Sequence, residues 1–382
     1  MGRITAWSGV MLALFGLPTV AAETVTDYDV MLTPAMQAPK ASTATLTEIT
    51  KAGSRQVAVG DFGVVIYRDE DAPNWQQAAV DTSVLLTAVS FANAEQGWAV
   101  GHHGVVMTTT DGGQSWQRQM DGFDFIELQI EHYKQVAEQL AEEVDNLPDN
   151  SSFSERDDLE FQLEEALFRA ESAELAREEG PTKPFLDVLA IDSQTIFVAG
   201  AYGTLLRSTD GGQSWEMLDQ RIENPDGLHI NALTYGQGSV YAVGEGGQIF
   251  RSDDQGDSWI MLDSPYYGSF FEVFVDQSER VWVAGLRGNI FVAEHADAEF
   301  EPLAINDRVN INQIIDGPDG SVILVGNAGL MAQIFANGEM SQQRHNSGAS
   351  LTDIITNADG SYTLVGQRGV LEVQADLSQA SQ

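Results

Sequence analysis

The stretch WAVGHHGVVMTTTDGGQSW, residues 98–116, decides the fold. A strand ends in Val-Gly, two variable residues and a second glycine follow, a further strand runs on, and an Asp-Gly-Gly turn closes on Ser-Trp. The first half recurs as VAVGDFG (57–63), WAVGHHG (98–104), FVAGAYG (197–203), YAVGEGG (241–247), WVAGLRG (282–288), ILVGNAG (323–329) and TLVGQRG (363–369). The first glycines of these turns follow one another at intervals of 41, 99, 44, 41, 41 and 40 residues. Several short strands repeating every ~40–45 residues are the mark of a β-propeller blade. Glycine at both ends of the turn is expected because a tight hairpin needs positive φ.

Before each turn lies a candidate innermost strand: LTEIT (46–50), LLTAVSF (85–91), FLDVLAI (185–191), INALTY (230–235), FFEVFVD (270–276), INQIID (311–316) and LTDIIT (351–356). The expected fold is therefore all-β, a seven-bladed propeller with an inserted antiparallel α-helical hairpin. Blades are expected near 46–80, 84–120, 184–220, 229–264, 269–304, 309–343 and 350–377, within a domain spanning 23–382. The last blade lacks a fourth strand, and residues 26–32 (TDYDVML) are the expected closing strand.

The second half of the opening stretch recurs as TTDGGQSW (109–116), STDGGQSW (208–215) and SDDQGDSW (252–259). This is the Asp-box, or bacterial neuraminidase repeat. Asp111, Asp210 and Asp254 can accept backbone N–H bonds inside their own turns. Gly113, Gly212 and Gly256 permit a left-handed residue, and Trp116, Trp215 and Trp259 can bury an indole between blades. The box is structural in this reading. Blade one keeps only Trp75 of it.

The interval of 99 residues holds an insertion at 121–183. Ile126, Ile130, Tyr133, Ala137, Leu140, Val144 and Leu147 form one stripe at alternating spacings of 4 and 3, which predicts a helix. After Pro148, Ser154 with Asp157 predicts a cap, and a second helix runs to about Glu179 with Leu159, Leu163, Ala166, Leu167, Ala170 and Ala173 toward its partner. Residues 121–180 carry 19 acidic and 4 basic side chains. A loop this long inside a compact repeat needs a reason, and docking supplies one. Glu131, Tyr133, Glu142, Glu164 and Phe168 are the candidate arm residues. The insertion leaves the propeller on the face of the Gly-x-x-Gly turns. It should share one rim with Asp61, Phe62, His102, His103, Tyr202, Glu245, Arg287 and Arg368, the candidate partner-binding set.

Composition narrows the function. The 382 residues carry 57 acidic and 19 basic side chains, a net charge of −38, with no cysteine and 36 glycines. Such a surface excludes nucleic acid as a partner and disfavours anionic lipid. Without cysteine there is no thiol nucleophile, thiolate zinc site or disulfide. No cofactor and no catalytic or metal site is assigned: His102 and His103 are adjacent and point apart. Residues 1–22 read as a cleavable signal peptide, with Arg3, an apolar core and Val20-Ala21-Ala22 before the cut. The mature chain is expected in the periplasm, without membrane insertion and monomeric by itself.

The seven-copy pattern, the VGxxG turns and the Asp-boxes together resemble the photosystem II stability/assembly factor family of propellers. That resemblance covers about 24–120 and 184–377, leaving out the helical arm. It implies a non-enzymatic factor that holds a membrane-protein intermediate. Photosynthetic members are linked with an arginine-rich surface, whereas here only Arg287 and Arg368 stand in the turns. The partner expected is therefore a different envelope or inner-membrane complex, with a transport system as the candidate. The alternative is a glycan-binding or glycoside-hydrolysing propeller related to sialidases, which would need an arginine trio that the sequence lacks.

Overall fold

Second strands such as Arg55–Gly60 and Val281–Gly285 are almost wholly buried, and every one of them is flanked on both sides by a paired strand. A computed structural model describes residues 29–70, 72–148 and 150–374. Within them the strands form seven sheets, each an antiparallel β-meander in sequence order, with one added parallel strand in blade two. The inner strands, from Leu46–Ala52 in blade one to Leu351–Thr356 in blade seven, together line a central channel. The outermost strands shrink to pairs such as Gln76–Gln77, Glu216–Met217 and Ile260–Met261.

Each inner strand carries a register shift at its start, between Leu46 and Glu48 in blade one and between Leu351 and Asp353 in blade seven. Such a bulge turns one side chain out of the regular alternation. Seven times it brings a polar or small residue to the same height in the channel. One position earlier, Thr or Asn stitches a blade to the next one. The Thr47 hydroxyl donates to the carbonyl of Leu86, Thr87 to Phe185, Asn231 Nδ2 to Phe270, Asn312 Nδ2 to Leu351, and Thr352 to Leu46. Leu186 and Phe271 hold that position in the other two blades.

The last of those bonds closes the ring, joining blade seven to blade one. Asp353 Oδ2 also accepts the Ile49 amide, Arg68 pairs with Glu372, and Val370 N–H donates to Ser42. Ala41, Leu46, Ile49, Ala58 and Val365 fill the seam with apolar contact. Closure differs from the sequence expectation. Of the expected closing strand, 26–28 lie outside the described residues. Residues 29–32 form a turn instead, seated on blades one and two: Ser83 N–H bonds Val30, Arg118 bonds the Met31 carbonyl, and Met31 is buried beside Val80 and Trp116. Apolar Met31 gains more from that pocket than from an exposed outer edge. Blade seven has three strands among the described residues.

Blade two gains an extra strand, because Ala79–Val80 pairs in parallel with Ser115–Trp116. The insertion forms two antiparallel helices, α1 (Gly122–Asp145) and α2 (Phe153–Glu179). Asp121 caps α1, accepting the Phe123 and Asp124 amides, while Asp124 returns a bond to the Asp121 amide. Ser152 caps α2, in place of the expected Ser154, and accepts the Glu155 amide. Gly180, at φ 89°, ends α2. Leu167 was expected to face α1, yet it is 53% exposed. The alanines Ala166, Ala170 and Ala173 take the close approach between the helices and leave Leu167 outside it. Among the described residues no helix is long and apolar enough to cross a membrane.

Candidate docking face

The rim is built by an unusual backbone. Phe62, His103, Tyr202 and Arg287 hold φ between 57° and 59°, and Gly246 and Ala328 occupy the same turn position at 64° and 57°. The following glycine is left-handed too, with Gly63 at φ 68°. The first glycine is not: Gly60 has φ 176°, so conformational freedom does not explain it. Space does, since a Cβ there would lie 2.2 Å from the Thr45 carbonyl oxygen. A side chain in the left-handed region costs roughly 1–2 kcal/mol, and five turns bear it at their second variable position, at Phe62, His103, Tyr202, Arg287 and Ala328. Phe62 and Tyr202 are 73% and 65% exposed. Arg368 has no positive φ, so the seventh turn departs from the set.

These residues do not converge on one point. Asp61 donates its amide to Thr45, and His102 sits beside it. Partial burial, then the neighbouring His103, hold the His102 imidazole below its usual range. His103 is committed to the arm, with Nδ1 2.8 Å from the Pro181 carbonyl oxygen. Tyr202 stacks edge-on with His229, whose amide donates to Glu245 at 3.1 Å. Arg287 donates its amide to Asn310 on another blade. Among the described residues no group of three or more His, Asp or Glu side chains is placed to hold a metal ion.

The arm grows out of this rim at blades two and three. Gly122 packs under the His103 carbonyl and the Pro181 ring. Phe125 meets Phe185 edge to face at 5.0 Å, and Tyr133 and Ala170 join the core between these blades. Tyr133 is thus an anchor and not a presented contact. Burial, with the nearby Asp219 carboxylate, pushes its hydroxyl pKa up. A polar latch sits beside it. His132 Nε2 lies 2.7 Å from Asp219 Oδ1, Arg169 reaches Asp219 at 3.4 Å, and Arg169 also covers the Tyr133 ring. Burial alone would raise Asp219, but His132 and Arg169 more than offset it and hold it low. The buried residues of α1 end at Ala137 and those of α2 begin at Ala166. The distal half therefore projects from a fixed base; Glu142 and Glu164 on the projecting half, and Glu131 and Phe168 on the base, are all exposed.

Beneath the rim the channel holds a feature that the sequence reading passed over. The bulge positions are Glu48, Ala88, Asp187, Ala232, Glu272, Gln313 and Asp353. Four carboxylates thus ring one level of the channel, with no Lys, Arg or His among the residues that line it. Three of them bolt blades together: Glu48 accepts the Val89 amide at 2.6 Å, Asp187 the Leu233 amide at 2.6 Å and Asp353 the Ile49 amide at 2.8 Å. Burial raises Asp187 and Asp353 from an ordinary 3.8 to about 7. Burial and repulsion within the ring push Glu48 and Glu272 well up. The available signal was a carboxylate at the third place of LTE, FLD, FFE and LTD.

The Asp-boxes stand at the other end of the third strands, on the opposite face. Asp210 Oδ1 accepts the Ser214 amide and the Ser208 hydroxyl, and Asp111 and Asp254 repeat the arrangement. These bonds draw Asp210 and Asp254 down, Asp254 to about 2. Each box is clasped by the preceding blade. Arg55 donates to the Asp111 and Gly112 carbonyls, Gln119 to Gly211, and Arg207 to Gln255 and Asp257. Trp116 is fully buried against Phe91. Arg207 and Arg251 are likewise tied to the neighbouring blade, so these arginines hold blades together.

Seven sheets of three to five strands around a channel, three of them closed by Asp-boxes, define a neuraminidase-repeat propeller with a helical arm. The chain belongs to the family of the photosynthesis system II assembly factor YCF48, whose model matches residues 68–138 and 171–378. The match omits 139–170, which is the projecting half of the arm. A structure of YCF48 bound to D1 peptide is 16% identical, covers 91% of this chain and 98% of its own, and superposes with a TM-score of 0.57. YCF48 from Cyanidioschyzon merolae gives 14% identity, 88% and 97% coverage and a TM-score of 0.59. PorZ, a surface component of the type-IX secretion system of Porphyromonas gingivalis, gives 12% identity and a TM-score of 0.52, covering 87% of this chain and 37% of PorZ. No curated protein sequence matches the chain.

Proposed function

We propose that this protein is an exported, non-enzymatic assembly factor that holds a protein segment of an envelope or inner-membrane complex on its arm-bearing face. A transport system is the candidate complex, and export would run through residues 1–22. The observation that carries the reading is an acidic helical arm fixed into the propeller core at its base and added to a YCF48-family scaffold. A YCF48 relative is seen with a D1 peptide, which makes a protein segment the class of ligand to test. The hydrolase alternative finds little support. No arginine is among the channel-lining residues, and three of the four carboxylates there are engaged by amides of the next blade.

The test is affinity recovery from envelope extract with the full chain and with a version whose 138–165 segment is replaced by a short glycine-rich loop. This cut spares Phe125, Tyr133 and Ala170, which the core needs. The reading expects a defined envelope protein with the full chain and its loss with the shortened arm. Equal recovery by both excludes the arm as the docking element. Turnover of any glycoside in a substrate panel would revive the hydrolase.

A further inference from the structure

Helix α2 has two apolar sides. One faces α1 through Ala166, Ala170 and Ala173. The other is left exposed among the described residues. Phe161, Phe168 and Leu175 recur at intervals of seven, with Phe153 one turn off that line near the arm's tip. They are 67%, 67%, 55% and 83% exposed. Side chains seven apart fall within ~20° of each other around a helix, so Phe161, Phe168 and Leu175 form one stripe, turned away from the alanines, with Phe153 about 80° round the helix from Phe161. Monomers usually scatter exposed hydrophobes singly, and a contiguous exposed row marks a contact.

The residues beside the stripe say what kind. Asp157, Glu164 and Glu171 alternate with the aromatic rings at helical spacing. None of the three has an ion-pair partner among the described residues, although Glu160, Glu165 and Glu174 on the same helix do. One apolar side chain per heptad with unpaired acids beside it makes a face that an amphipathic helix of opposite charge complements. A second copy of the arm would bring like charges together, which opposes self-pairing.

We propose that the outer face of α2 is a docking surface for a basic amphipathic helix of a partner protein. Phe161, Phe168 and Leu175 are its knobs, and Asp157, Glu164 and Glu171 are its charge guides. This rests on the reading of the arm as the docking element and names the partner's chemistry. The surface lies largely in the segment that the family match omits, so it belongs to this chain's own elaboration of the scaffold.

The experiment uses the full chain and a fluorescent three-heptad peptide of leucine and lysine, with a leucine–glutamate peptide as control. Anisotropy and peptide helicity are read at physiological salt, where charge attraction reaches only ~8 Å. The lysine peptide should bind and become helical, and the glutamate peptide should not. F161S/F168S/L175S keeps the net charge and should weaken binding by roughly tenfold or more. D157N/E164Q/E171Q should weaken it and flatten its salt dependence. All six positions are solvent-facing, and an unchanged melting curve verifies the fold of each variant. Equal binding by the apolar variant overturns the proposal, since charge alone would then explain the attraction. So does a wild-type dimer that F161S/F168S/L175S dissociates, which would assign the face to a second copy. No binding by the wild type also overturns it. If envelope recovery still depends on 138–165 in that case, the docking function stands and only the basic-helix inference falls.

Discussion

Glu272→Gln takes one charge out of the channel ring and leaves the inter-blade bonds of Glu48, Asp187 and Asp353 in place. Asp187 and Asp353 sit near 7 in the fold against an ordinary 3.8. Between those two values the folded chain binds more protons than the unfolded chain. Stability from these groups is therefore complete below about pH 4 and is lost as pH rises through 7. One such group alone would account for about 4 kcal/mol, at ~1.4 kcal/mol per factor of ten in proton affinity. The four carboxylates share their repulsion, so removing one recovers only part of it, roughly 1–2 kcal/mol at pH 8. For a chain of this length that is about 1–3 °C in Tm. Calorimetry of both proteins from pH 4 to 8.5 should show curves that meet near pH 4, separate as pH rises toward 7 and stay apart above it, with the variant more stable. The overall negative charge acts on both proteins alike, so their difference isolates the ring. A variant that is equally or less stable at every pH would refute the reasoning.

Three further outcomes follow from the geometry. Asp219→Asn strips the latch, leaving His132 without a carboxylate and Arg169 with Glu165 alone; it should cost about 1–3 kcal/mol and raise hydrogen exchange in 122–137 before any change in blades five to seven. Gly60→Ala forces a Cβ to within 2.2 Å of the Thr45 carbonyl oxygen and should drop Tm steeply or abolish soluble expression, while Gly338→Ala, with nothing within 4 Å, should lose only what its φ of 83° costs. Asp210→Ala removes the acceptor for the Ser214 amide and both hydroxyls of its box and should destabilise by about 1–2 kcal/mol without altering recovery of a partner, because that face lies opposite the arm.

Periodicity made the fold readable. Seven VGxxG turns at near-constant intervals give the blades, and alternating spacings of 4 and 3 from Ile126 to Leu147 give the first helix. The family was readable from the same repeats and the Asp-boxes. Ring closure was not, because the reading of 26–32 as a strand rested on the fourth strand that blade seven lacks, while Met31 follows a pocket that exists only once blades one and two have met. Gly60 misled for a similar reason: its constraint is a neighbour from Thr45, invisible in a local turn argument. Of the candidate site, the exposed turn residues Phe62 and Tyr202 were legible from spacing. The roles of Tyr133 and His103 as fastenings were not, since both depend on where α1 lands. The channel ring escaped because Glu48, Asp187, Glu272 and Asp353 lie two or more blades apart in the sequence and meet only through the closure of the ring.

The central claim is that the arm and the Gly-x-x-Gly rim present one docking face. It is tested most directly by photo-crosslinking in living cells from a benzophenone amino acid placed singly at Phe168 on the arm, at Arg287 on the rim and at Gln213 in an Asp-box on the far side. The account predicts the same envelope protein crosslinked from Phe168 and Arg287 and none from Gln213. Crosslinks from Gln213 alone, or different proteins from the arm and the rim, would contradict it.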